Sequence, residues 1–253
     1  MTTPVALAVA ASVIVIGALT FASFNTTRAL SVAVNDDLLI KIRGLQWWWD
    51  VEYFGSGPDE RFQTANEIHI PVGRNVRFQL EGVDVIHSFW VPSLAGKQDL
   101  IPGRPNELSV RADRPGVYRG QCAEFCGMQH AHMAFFVMAD EPHVFDEWLR
   151  AQRRPAAPSS DAEVLAGQQV FMSKSCAACH MIRGTPAAGT TGPDLTHVGG
   201  RNYIAAGLLE TTRGSLAAWI ADPQTLKPGN NMPMVPLSPG ELRSISAYLA
   251  SLK

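Results

Sequence analysis

Gln121-Cys122-Ala123-Glu124-Phe125-Cys126-Gly127-Met128-Gln129-His130-Ala131-His132-Met133 sets two thiols four residues apart, followed closely by an imidazole and a thioether. A second imidazole, His87, lies upstream in Val85-Ile86-His87-Ser88-Phe89-Trp90. Thiolate, imidazole and thioether together form the donor set of soft copper, whereas structural zinc rarely recruits methionine. Thiols at this spacing can both bridge two copper ions, leaving one histidine for each. An electron shared across two such ions changes the geometry little, so the set suits electron transfer better than bond-making. A Cys122–Cys126 disulfide, the plain alternative outside the cytoplasm, leaves His87, His130 and Met133 unexplained.

Outward from this loop the chain reads as short strands. Residues 38–42, 67–72, 76–80 and 134–138 are apolar or alternating. Gly57-Pro58, Pro102-Gly103 and Pro115-Gly116 are turn signals between them. The spacing predicts an all-β Greek-key sandwich of the cupredoxin kind, then a short helix over 141–152. Residues 151–160 are a Pro/Ala/Ser linker, expected to be stiff enough to hold two domains apart. Beyond it the pattern is all-α. Asp161 is placed to cap a helix carrying Val164, Leu165, Val170 and Phe171. Ser238-x-x-Glu241 is a capping box ahead of Leu242, Ile245, Leu249 and Leu252, which share one helical face. No internal repeat is visible.

Cys176-Ala177-Ala178-Cys179-His180 is the attachment motif for c-type haem: two thiols for the porphyrin vinyl groups and an adjacent histidine for the iron. A zinc knuckle would need further ligands, and no second cysteine pair remains in this region. The sixth iron ligand is expected to be methionine, which raises the potential relative to histidine. Met232 and Met234, in Gly229-Asn230-Asn231-Met232-Pro233-Met234, are the candidates; Met172 and Met181 read as packing. The four cysteines thus fall into two pairs, each with a chemical use.

The 253 residues leave room for more than one domain, and a net charge of -2 argues against a nucleic-acid partner. No charged residue precedes Arg28, and residues 5–24 are almost wholly apolar, about 20 residues, enough for one membrane crossing. Met1-Thr2-Thr3-Pro4 lacks the positive start of a signal peptide, so the stretch reads as a retained anchor. Both redox motifs are normally assembled outside the cytoplasmic membrane, which implies amino terminus in and domains out.

The Cys122–Cys126 segment resembles the binuclear copper A site of subunit II of haem-copper oxidases. From Asp161 onward the chain resembles the cytochrome c domain fused to that subunit in caa3-type enzymes. The resemblance implies that Cys122 and Cys126 bridge both coppers. It assigns His87 and Met133 to one ion, and His130 with the Glu124 main-chain carbonyl to the other. It further implies that the Glu124 carboxylate contributes to a magnesium ion facing subunit I, a hard cation suited to oxygen ligands. Met232 is favoured over Met234, because in this family the Met of a Met-Pro pair ahead of the last helix takes the role. Gly192-Pro193-Asp194-Leu195-Thr196-His197 resembles the family's haem loop, in which the proline packs on the proximal histidine. His197 reads as a propionate contact or a plain hydrogen-bonding residue.

Gly44-Leu45-Gln46-Trp47-Trp48-Trp49 resembles the aromatic segment over copper A, with Trp47 at the position through which electrons come in. Side chains alternate along a strand, so the three tryptophans cannot all point inward, and Trp48 is expected at a membrane or subunit surface. His69, His132 and His143 read as ordinary. Asp84 and Asp99 read equally as docking or solvated acids. Gly167, Phe171 and Tyr248 resemble the close helix crossing of small cytochromes c.

The expectation is therefore a multidomain chain: a transmembrane anchor over 1–30, a copper A domain over 31–150, a linker over 151–160 and a class I cytochrome c domain over 161–253. The implied role is subunit II of a cytochrome c oxidase in the cell membrane, with both redox domains on the periplasmic or outer side. Electrons would pass from haem c through copper A to subunit I for reduction of oxygen to water. Implied partners are subunits I and III and a cytochrome c or another periplasmic donor. A copper A subunit of a nitric oxide reductase and a membrane-tethered carrier are the competing readings. The single span and the loop Ala95-Gly96-Lys97-Gln98-Asp99-Leu100-Ile101-Pro102-Gly103-Arg104 depart from the commoner pattern, and point to a divergent oxidase.

Overall fold

The computed structural model describes residues 2–30, 38–55, 57 and 60–253. Pro58 of the expected Gly57-Pro58 turn, and residues 31–37, where the copper domain was expected to begin, lie outside the described residues. The chain divides into two units, Met1–Asp37 and Leu38–Lys253. In the first, Thr2–Leu30 forms one helix (α1). Its Thr2–Arg28 stretch, with mean hydropathy 2.5 and no buried surface, is long and apolar enough to cross a membrane.

The second unit opens as a sandwich of two five-stranded sheets. One sheet contains Leu38–Leu45 (β1), Trp48–Tyr53 (β2), Phe62–Ala65 (β3), Val76–Gly82 (β5) and Asn106–Val110 (β8), in the order β3-β2-β1-β5-β8. The other contains Glu67–Pro71 (β4), His87–Trp90 (β6), Gln98–Leu100 (β7), Gly116–Cys122 (β9) and Ala134–Asp140 (β10), in the order β4-β10-β9-β6-β7. Strict alternation along β1 and β5 sends Ile40, Ile42, Phe78 and Leu80 inward. Trp49, Phe89 and Phe135 meet in the centre, with Phe89 and Phe135 stacked at 4.4 Å and Trp49 edge-on to both. The β-sandwich read from the strand spacing is the observed fold. So is the helix at its end, Pro142–Gln152 (α2).

Sheet register positions the copper-type residues. β6 pairs with β9 so that Phe89 faces Cys122, bringing His87 to the end of β9. β9 and β10 are antiparallel, with Gln121 opposite Ala134. The intervening segment from Ala123 to Met133 is therefore a loop closing one end of the sandwich.

The helical module consists of Ala162–Ser173 (α3), Cys176–Cys179 (α4), a small ribbon of Tyr203–Ile204 (β11) and Leu209–Glu210 (β12), Arg213–Ala221 (α5), Pro223–Leu226 (α6) and Pro239–Ser251 (α7). Asp161 caps α3 by accepting from the Glu163 and Val164 amides. Ser238 and Glu241 close a reciprocal capping box on α7. Both caps stand where the sequence pattern placed them. The helices α3 and α7 cross at Gly167, where an added Cβ would lie 2.0 Å from the Ser244 carbonyl oxygen. Phe171 and Tyr248 meet edge-on beside that crossing, at 6.0 Å.

The expectation that the linker holds two domains apart is corrected. Arg183 of the helical module donates to the Gln152 and Arg153 carbonyls, and the Ala156 amide donates to the Arg183 carbonyl. The modules keep separate cores but touch directly. Phe136 stacks on Tyr203 at 4.1 Å, and the Ala134 amide donates to the Ala206 carbonyl. Composition sets a linker's stiffness, yet it cannot reveal which surfaces the linker lies against.

Candidate redox sites

At the end of the sandwich, His87, Cys122 and Cys126 bring their donor atoms within 4.8 Å of one another, and all three residues are buried. The two sulfurs are 3.8 Å apart. His87 Nδ1 is 3.9 Å from Cys122 Sγ, His130 Nδ1 is 3.6 Å from Cys126 Sγ, and Met133 Sδ is 3.8 Å from Cys126 Sγ. The Glu124 carbonyl oxygen lies 3.3 Å from Cys122 Sγ, while the residue itself is exposed. All six donors singled out in the sequence thus converge on one small volume. Clustered soft donors shielded from water fit a copper pair.

The two thiols interact: the hydrogen bond with Cys126 is the main influence on Cys122 and lowers its pKa, while the same contact and burial raise that of Cys126. Burial works against the charged form of His87, but its hydrogen bonds to Cys122 and Asp84 overcome that and raise its pKa.

Asp84, read as a docking or solvated acid, is exposed but also supports a ligand. Its Oδ1 lies 2.8 Å from His87 Nε2, and its Oδ2 accepts from the Gln46 amide at 2.6 Å. With Nε2 engaged, Nδ1 is the nitrogen that faces the thiols, as outer partners of ligand histidines do. An acid three positions before a ligand histidine was the available signal. Gln46 was also missed: its Nε2 donates to the Cys126 carbonyl at 2.7 Å, beside the Trp47 Nε1 bond to the same oxygen at 2.9 Å.

In the helical module a cavity of about 500 Å³ is lined by Cys176, Cys179, His180, Met232 and apolar side chains from α5 and α7. That volume lies in the range cofactors occupy, about 300–1,000 Å³. His180 Nδ1 is 2.8 Å from the Pro193 carbonyl oxygen, which leaves Nε2 for iron. Burial lowers the His180 pKa, which favours the neutral imidazole that a metal ligand needs. Gly192 permits this approach, since a Cβ there would lie 2.6 Å from the His180 ring. The donor set and the apolar walls fit a c-type haem. Met232 lines the cavity, whereas Met234 is 62% exposed. His197 has its Nε2 3.0 Å from the Arg154 carbonyl oxygen.

The cavity reaches the sandwich. Gln46, Trp47 and Trp48 form part of its wall, so Trp48, expected at a membrane or subunit surface, lies where the two modules meet. Trp47 precedes β2 and is buried, so strand alternation does not govern it. Lys227 also lines the cavity and is 3% exposed. Its burial pushes it down to about 7, and no local sequence signal marked it. His69, read as ordinary, lies between Asp140 at 2.6 Å and Glu67 at 3.2 Å. His132 Nδ1 lies 2.9 Å from the Gln129 side-chain oxygen. Asp99 lies 3.4 Å from Lys97 Nζ at the surface.

Comparison with known proteins gives matches in both modules. Residues 55–140 match the family described as cytochrome c oxidase subunit II, periplasmic domain, and residues 164–253 match cytochrome c. Cytochrome c oxidase subunit 2 of Alkalihalophilus pseudofirmus is 42% identical over 220 residues, covering 87% of this chain and 62% of that protein. The corresponding protein of Bacillus sp. (strain PS3) is 33% identical over 227 residues, covering 85% and 62%. This chain therefore spans 62% of the length of both relatives. The periplasmic domain of subunit II of the Bradyrhizobium japonicum oxidase is 34% identical, covering 48% of this chain and 97% of that one, with a TM-score of 0.44. The chain belongs to the cytochrome c oxidase subunit II family and joins that family's periplasmic domain to a cytochrome c domain in one polypeptide.

Proposed function

We propose that this chain is the electron-input subunit of a haem-copper oxidase, carrying electrons from haem c through copper A to a catalytic subunit that reduces oxygen to water. Bound in the two sites, the haem and the copper pair supply one-electron redox chemistry; the rest is positioning. Cys176 and Cys179 would hold the porphyrin, and His180 and Met232 would supply the iron's protein ligands. Cys122 and Cys126 would hold the copper pair through their thiolates, with His87, Met133, His130 and the Glu124 carbonyl completing the donor set. The exposed Glu124 carboxylate is free to join a magnesium shell whose other oxygens come from subunit I.

The observation that carries this reading is Trp47. It lines the haem-type cavity, and its indole nitrogen donates to the Cys126 carbonyl oxygen at 2.9 Å. One side chain therefore borders both sites, as the position through which electrons reach the copper. Asp84, Gln46 and Pro193 hold donors in fixed orientations, which limits rearrangement when the charge changes. The apolar helix supports a membrane anchor, and the match of residues 55–140 to a periplasmic domain supports both redox modules on the periplasmic or outer side. Subunits I and III, and a soluble donor delivering to the haem, are the partners.

Optical and paramagnetic resonance spectra of the purified chain test the reading. Low-spin c-haem bands are expected, with a copper signal from one electron shared by two nuclei. The pattern of a lone copper would reject the bridging thiolates. Oxygen consumption by the purified complex is expected; nitric oxide reduction in its place would assign the subunit to a different catalytic partner, and isolation without a partner would favour a tethered carrier.

A further inference from the structure

Lys227 follows α6 in the helical module, yet its Nζ donates to the main-chain oxygen of Trp47 in the sandwich at 2.7 Å. A longer contact of 3.4 Å reaches the Ala205 oxygen. From Trp47 the indole Nε1–H continues to the Cys126 carbonyl oxygen at 2.9 Å. Lys227 and Trp47 both line the cavity that holds Cys176, Cys179, His180 and Met232. Covalent and hydrogen bonds thus run without a gap from the cavity wall, through Lys227 and Trp47, to the residue carrying a copper-site thiol. Burying a lysine head group is costly. A neutral donor already ties the modules nearby, Gln129 Nε2 to the Pro228 oxygen at 2.8 Å. Fastening alone does not call for a lysine.

We propose that Lys227 is a positioning residue for electron transfer between the two redox sites, holding Trp47 against the haem cavity so that one bonded route reaches Cys126. This rests on the reading of the sites as haem c and a copper pair. One electron leaves the reduced haem and one arrives at the oxidised copper pair. Lys227 and Trp47 are neither oxidised nor reduced, and no proton changes place. Tunnelling is faster through covalent and hydrogen bonds than across a van der Waals gap, so opening the Lys227–Trp47 link slows it. A neutral amine donates the same hydrogen bond as an ammonium, so the role is independent of the lysine's charge.

The test uses the full chain with both groups loaded, photoreduced by an external dye, with haem reoxidation and copper reduction followed optically. K227M, K227R and N202A are compared with the parent; N202A loosens the modules at the Glu67 contact, away from the route. K227M is expected to slow transfer several-fold with both spectra and both midpoint potentials unchanged. K227R is expected to restore most of the rate, and N202A to stay near the parent. A parental rate in K227M, or equal slowing in K227M and N202A, overturns the proposal. Should K227M fail to load both groups, W47F decides, since it keeps a ring and loses the bond to Cys126. Slowing there upholds the route, and a parental rate overturns it. Missing haem bands or a missing two-copper signal in the parent would instead overturn the reading of the sites, which is a separate failure.

Discussion

Glu67 on β4 accepts two hydrogen bonds from Asn202 of the helical module, from the amide at 2.8 Å and from the side chain at 3.2 Å. The other Glu67 oxygen meets His69 Nε2 at 3.2 Å, and His69 Nδ1 meets Asp140 at 2.6 Å. A carboxylate–imidazole–carboxylate row thus stands behind the contact between modules, with Trp148 stacked on the imidazole at 4.1 Å.

That row makes stability depend on pH. Burial disfavours the charged imidazole, but the flanking carboxylates outweigh it and raise the His69 pKa above its ordinary value. A raised pKa contributes stability that is fully present below the unfolded value, about 6.5, and is lost as pH rises through the folded one. Glu67 is opposite: burial pushes its pKa up, but hydrogen bonds from His69 and Asn202 bring it below the ordinary value. Its contribution is lost as pH falls below the carboxylate range. Thermal unfolding should therefore show a decline in stability as pH rises above about 6.5 that H69Q flattens. An unchanged slope in H69Q would refute the assignment.

Asp84 orients His87, and outer partners of ligand histidines typically matter by about 10–100-fold in metal affinity. D84A should lose copper to a competing chelator more readily by a factor of that order, with haem content unaffected. Parental copper retention would show that the Asp84–His87 contact at 2.8 Å does not support the ligand.

Met232 lines the haem cavity and Met234 is mostly exposed. Loss of a thioether ligand lowers the haem potential relative to methionine ligation and opens a coordination position. M232A should show a lower midpoint potential and bind added imidazole, whereas M234A should do neither. The reverse outcome would move the axial role to Met234.

At the crossing of α3 and α7, a Cβ on Gly167 would lie 2.0 Å from the Ser244 oxygen and 2.7 Å from the Tyr248 Cβ. Overpacking of this kind costs about 1–3 kcal/mol, so G167A should lower the unfolding midpoint of the helical module. Gly240, also helical, has nothing within 4 Å of such a Cβ. G240A should be neutral, or stabilising by about 0.5–1 kcal/mol. Equal effects at the two positions would exclude the crossing as the cause.

Local chemistry was legible because it lies close together along the chain. Cys176 to His180, the Cys122–Met133 loop, the Asp161 cap and the Ser238–Glu241 box each span a few residues, so spacing alone specifies what they can do. Alternation did the same for β1 and β5, and a continuous apolar run for β10. The tryptophan run misled at Trp48, because alternation was applied where a turn intervenes and a second module covers the surface. The linker misled because its composition describes a free chain.

By itself, the sequence determined the donor types, their grouping into two sites, the sandwich with its helical companion and the apolar first helix. These follow from periodicity and from short motifs whose atoms are bound to be neighbours. Only the tertiary structure decided that Lys227 bonds to Trp47, that Glu67 and His69 stand behind Asn202, and that the two sites share a wall. Those contacts join segments up to 180 residues apart, and which distant surfaces meet depends on the packing of whole modules.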